Sequence, residues 1–161
     1  MNLFDYEPRR RPRMTRRVLR GFDAGAFAEA RRQKGISVSD LSRLADVSQA
    51  AIFNWEAGKS TPQVDLLARV MHILEAPIEQ VVTIPANERY PGDWRVIKGL
   101  TQPELAAAAK IATTTLRGIE RADIGLSDAN TEKLANLLGV RVEEYRAAYQ
   151  RARQRPAGTP V

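Results

Sequence analysis

The sequence contains no cysteine and one histidine, His72. The first absence excludes disulfides, thiolate metal sites and cysteine nucleophiles, and the second leaves no imidazole cluster to replace them. His72 falls on an amphipathic helical stretch with no acid cluster at ligand spacing beside it, and reads as a surface side chain. No apolar run approaches the roughly 18 residues of a membrane span, and the N-terminus carries charge where a signal peptide needs an apolar stretch. No glycine-rich phosphate loop and no nucleophile set against a base occurs. The expectation is a cytoplasmic protein that is not an enzyme and uses neither metal nor cofactor.

What is present is positive charge, and it is unevenly placed. The net charge is +6 over 161 residues. Residues 1–20 hold seven Arg against two acids and residues 148–161 three Arg and no acid, so the body between them is close to neutral. A basic tail on a neutral body is one pattern of nucleic-acid binders, because mobile Arg side chains find phosphates and release counterions. A solvated tail has the same composition.

An internal repeat decides the organisation. Sliding the chain against itself by one fixed offset, with no gap, pairs Arg31 with Arg95, Lys34 with Lys98, Gly35 with Gly99, Leu41 with Leu105, Ala45 with Ala109, Glu56 with Glu120 and Leu74 with Leu138. Conservative pairs fill the intervals, among them Ser37 with Thr101, Ile52 with Leu116 and Trp55 with Ile119. Two units imply two small domains, since repeat arrays that share one core usually need three or more copies.

Within the first unit the spacing predicts helices over 24–34, ended by Gly35, and over 38–45, capped by Ser37 with Leu41, Leu44 and Ala45 inward. Ser48 caps a third helix over 49–57 whose inward residues are Ile52 and Trp55. A fourth buries Val64, Leu67, Val70 and Leu74, and a short fifth begins near Pro77. The second unit repeats the scheme, with Thr101, Pro103 and Glu104 forming a well-made helix start. Two short helices joined by a tight turn, followed by two more, form a helix-turn-helix arrangement. The stretches GISVSDLSRLADVSQAAIFNWEAGKSTPQVDLLARVMHILEAPIEQV and GLTQPELAAAAKIATTTLRGIERADIGLSDANTEKLANLLGVRVEEY each resemble the lambda repressor/Cro (Xre-type) DNA-binding family. The turn glycine common in that family is Asp46 in one unit and Lys110 in the other.

The resemblance implies that the third helix of each unit lies in a major groove with its early outward residues on base edges. In the first unit these are Gln49, Ala50, Phe53 and Asn54, with Lys59 and Ser60 in the following loop suited to phosphates. For Phe53 the preferred alternative is to cover the edge of its own core. In the second unit they are Thr113, Thr114 and Arg117, beside Gly118, and the loop has Ala122 and Asp123, which suits phosphate less well. Double-stranded DNA is therefore the expected partner, with a nucleoid-associated location. RNA is disfavoured, because neither unit shows an exposed aromatic platform. Arg31 with Glu56 and Arg95 with Glu120, equally spaced in the two units, look like the family's ion pair between the first and third helices. Arg9, Arg10, Arg11, Arg13, Arg16 and Arg17 form a basic N-terminal arm able to follow backbone or minor groove.

The expected fold is all-α: an arm over 1–21, a first domain over 22–82, a linker over 83–92, a second domain over 93–154 with an extended C-terminal helix, and a disordered tail over 155–161. The connector from Thr83 to Pro91, fully extended, would span about 30 Å. Val142, Tyr145, Tyr149 and Ala152 make an apolar stripe that either closes the second core or offers a surface for a homodimer. The expected function is a sequence-specific transcriptional regulator, a repressor of the phage or mobile-element type, governed by abundance or partner because its length leaves little room for a sensor domain. The alternative is an antitoxin-like protein whose first domain binds DNA and whose second grips a protein partner or dimerises.

Overall fold

A computed structural model describes residues 18–161, and these form an all-helical structure. The first unit comprises α1 (Ala24–Lys34), α2 (Val38–Ala45), α3 (Gln49–Glu56) and α4 (Val64–Leu74), closed by a single 3₁₀ turn at Ile78–Gln80. The second comprises α5 (Pro91–Ile97), α6 (Gln102–Ala109), α7 (Thr113–Glu120), α8 (Asp128–Leu138) and α9 (Val142–Arg153). From the second helix of each unit to the fourth, every helix starts and stops at residues that the repeat pairs with the limits of its counterpart.

Local chemistry sets these limits. The side chains of Ser37 and Ser48 accept the backbone N–H of Asp40 and Ala51 at 3.0 and 3.1 Å, each satisfying a donor that the first helical turn leaves unpaired. Thr101 and Glu104 bond to each other's backbone N–H in a full capping box, and that contact holds the Glu104 carboxyl below its ordinary range. The tight turns after α2 and α6 place Asp46 and Lys110 at φ 53° and 57°. This is the left-handed conformation that glycine adopts without steric cost.

Each unit has its own core. Phe27, Leu41, Ile52, Trp55, Leu67 and Val70 centre the first, and Leu105, Leu116, Ile119, Leu134, Leu138 and Tyr145 the second. Leu44, expected inside, is 50% exposed. Val38, Leu41 and Ala45 share one narrow face of α2, and at about 100° per residue Leu44 falls roughly a quarter-turn from its centre.

The connector is folded rather than extended. Ile84 is buried in the first core, Ala86–Glu88 makes a 3₁₀ turn, and Pro91 already opens α5 ahead of the expected boundary. Arg89 donates to the Ile84 carbonyl at 2.9 Å and lies 4.4 Å over the Trp94 ring. From α9, Arg151 donates to the carbonyls of Arg89 and Ala86. The units also pack directly, because Val96 of α5 joins the first core. At Gly99, a Cβ would stand 3.2 Å from both Ala68 and Ile78, and its φ is 71°, so only glycine suits this close crossing. Arg20, ahead of α1, pairs with the Asp93 carboxylate and lies 4.2 Å over the Tyr90 ring. Burial pushes the Asp93 carboxyl up, opposed by the Tyr90 N–H and by Arg20. The reach of about 30 Å expected of an extended chain is therefore not available to the folded connector.

Candidate nucleic-acid interface

The geometry of α3 follows from its two anchors. Ile52 is fully buried and Trp55 nearly so, the latter meeting Phe27 edge-on at 6.0 Å. With those positions inward, Gln49, Ala50, Phe53 and Asn54 are all exposed along the opposite face. Phe53 is 56% exposed and is not part of the first core, so the core-covering alternative does not describe it. Directly after the helix, the N–H groups of Lys59 and Ser60 point back to the Asn54 carbonyl at 2.9 and 3.4 Å, leaving the Lys59 side chain in solvent and Ser60 half-buried. Thr61 accepts the Leu19 N–H at 2.7 Å, which brings the chain just ahead of α1 against this loop. The arm residues Arg9, Arg10, Arg11, Arg13, Arg16 and Arg17 lie outside the described residues.

Both ion pairs form with the same pattern of bonds. Arg31 meets Glu56 in a two-pronged contact of 2.5 and 3.2 Å and donates to the Ile36 carbonyl at 3.0 Å. Arg95 meets Glu120 at 2.7 and 3.0 Å and donates to the Leu100 carbonyl at 2.8 Å. A forked guanidinium–carboxylate contact fixes orientation as well as distance, so each pair ties the end of the third helix to the first helix and to the turn that follows it. Glu56 holds the Arg31 guanidinium above its ordinary value. Gln102, which sequence alone does not single out, adds a bond to Glu120 at 2.9 Å. The first unit has Val38 at the equivalent position, so the repeat carries no signal for it.

In the second unit α7 turns Thr114 and Arg117 to solvent, with Thr113 and Gly118 half-buried. The loop behind it is unlike its counterpart. Asp123 stands where the first unit has Lys59 and pairs with Arg121 at 3.0 Å. The carbonyls of Arg121, Ala122 and Ile124 receive bonds from Arg155, Arg153 and the Tyr149 hydroxyl at 2.6, 3.1 and 2.8 Å. The long C-terminal helix thus braces this loop, which the short 3₁₀ turn at the matching place in the first unit cannot do. It also decides between the two uses of the apolar stripe: Tyr145, Tyr149 and Ala152 are buried in the second core, so the stripe closes that core and offers no dimer surface. The tail expected to be disordered folds back, with Arg155 bonded to Arg121 and Val161 packed on the second core.

His72 is exposed near the end of α4. Among the described residues no group of three His, Cys, Asp or Glu side chains could hold a metal, and no helix is long and apolar enough to cross a membrane.

Two compact units, each presenting the second helix of a helix-turn-helix pair to solvent, define a DNA-binding class of protein. The helix-turn-helix family model matches the chain twice, over residues 27–81 and 93–145, and the chain belongs to this lambda-repressor/Cro (Xre-type) family. Its kind of function is DNA binding in transcription regulation. No curated protein matches the chain.

Proposed function

We propose that the protein is a sequence-specific regulator that binds double-stranded DNA through the outward face of α3, with α7 adding a second, weaker reading surface, and that it represses by occupying its site in the manner of phage and mobile-element repressors. The observation that supports this most is the exposed row Gln49, Ala50, Phe53 and Asn54, standing on a helix pinned from behind by Ile52, Trp55 and the Arg31–Glu56 pair. Side-chain amides can hold adenine N6 and N7 in pairs of bonds, and Ala and Phe can pack on a thymine methyl. Thr113, Thr114 and Arg117 take the corresponding places on α7, where a guanidinium can hold guanine O6 and N7.

Lys59 and Ser60 position the first unit on phosphate, and the basic residues that precede Leu19 in the chain add further phosphate contacts. The acid at Asp123 gives the second unit no such help, so the first unit contributes more. The folded connector and the crossing at Gly99 hold the two reading helices in one arrangement, which favours an asymmetric site for a single chain. Selection of bound duplexes from a random library by the full chain tests this, with an asymmetric motif expected and a flat profile contradicting it. On the selected site, Lys59→Ala should weaken all sequences alike and reduce the slope of log affinity against log salt by about one.

A further inference from the structure

The two loops that follow the reading helices differ at one place where geometry and chemistry change together. The repeat pairs Gly118 with Asn54, and Ile124 with Ser60. A Cβ built on Gly118 would lie 3.0, 3.1 and 3.3 Å from three carbons of the Ile124 side chain. The isoleucine therefore fills the space that a side chain at position 118 would need. In the first unit the equivalent space belongs to Asn54, one of the four outward residues of α3. Ile124 keeps 42% of its surface exposed, although an isoleucine free to choose would bury itself.

Its position is also fixed. The Ile124 N–H points to the Gly118 carbonyl at 3.4 Å and its carbonyl accepts the Tyr149 hydroxyl at 2.8 Å. The neighbouring carbonyls of Ala122 and Arg121 are held by Arg153 and Arg155. Ordering a loop before binding removes that entropy cost from the binding step. Thr114 lies one helical turn before Gly118, and Arg117 is adjacent, so all three surfaces share the outward side of α7.

We infer that Ile124 is a specificity-determining residue, a side chain borrowed from the loop that completes the reading face of α7 and packs on the 5-methyl group of a thymine beside the base pair met by Arg117. The missing side chain at Gly118 is what admits it, and the long C-terminal helix, through Tyr149, holds it there. The inference rests on the reading of α7 as a groove-facing helix.

The test uses the full chain and its selected duplex, remade with deoxyuridine in place of each thymine in turn, which removes only the methyl group. Wild type should lose roughly fourfold in affinity at one thymine in the part of the site assigned to α7, the worth of one buried methyl. Ile124→Ser should bind the thymine duplex about that much more weakly and no longer distinguish it from the deoxyuridine duplex at that position, while keeping any methyl preference that belongs to Ala50 or Phe53. Tyr149→Phe, which frees the loop but leaves the core filled, should reduce the discrimination in part. If wild type ignores every substitution in that part of the site, or Ile124→Ser keeps the discrimination, the inference is overturned. Arg117→Ala separates the two levels of failure. A changed base preference in that variant with no methyl effect removes Ile124 alone, whereas an unchanged preference removes α7 as a reader and Ile124 with it.

Discussion

Glu120→Ala should lower the unfolding free energy by about 3–5 kcal/mol, the usual consequence of leaving a buried cation without its partner. The side chains of Arg95 and Glu120 are only 10% and 6% exposed. With the carboxylate gone, Arg95 keeps its bond to the Leu100 carbonyl but loses both prongs of its charged contact, and Gln102 loses its acceptor. Glu56→Ala should cost less, because the side chains of that pair are 18% and 15% exposed and water can reach the orphaned guanidinium. Replacing both partners together, Arg95→Met with Glu120→Leu, should recover most of the loss, since no unpaired charge remains. Denaturant unfolding of the single and double variants checks this, and additive losses would contradict the pairing.

The prediction rests on residues that can be found without coordinates. Arg95 and Glu120 are visible because Arg31 and Glu56 recur at the same separation in a divergent copy, and the ungapped repeat carries over every helix limit from the second helix to the fourth. The capping serines and Thr101 are legible for a local reason: a side chain that satisfies an N–H three residues ahead leaves a short, fixed signature. Long-range packing leaves none. Nothing in the order of residues 83–92 announces that Arg151, far along the chain, will hold the connector by its carbonyls, or that Gly99 will cross close to Ala68. Leu44 fails for a subtler reason, since a hydrophobic residue three positions from Leu41 fits the helical period and still misses the buried face. The outward face of α3 is legible because its inward anchors, Ile52 and Trp55, are large and apolar. That of α7 is legible only in part, because Gly118 marks an empty place and the side chain that fills it comes from the loop.

The second large effect concerns the bases. Gln49 and Asn54 are exposed and make no hydrogen bond through their side chains to the rest of the described protein that would be lost on truncation, so changing both to Ala should leave thermal unfolding nearly as it was. On the selected duplex each change should cost about 1–3 kcal/mol, the worth of a paired hydrogen-bond contact to a base edge. On unrelated duplex the loss should be small, because the phosphate contacts proposed for Lys59, Ser60 and the arm carry no base information. The most direct test of a base-reading α3 is therefore a specificity profile, measured side by side for wild type and Gln49→Ala/Asn54→Ala across every single-base variant of the selected site at one salt concentration. The account predicts that preference collapses at two or three neighbouring base pairs and survives elsewhere. An equal loss of affinity on all variants, with the preference at every position intact, would contradict it.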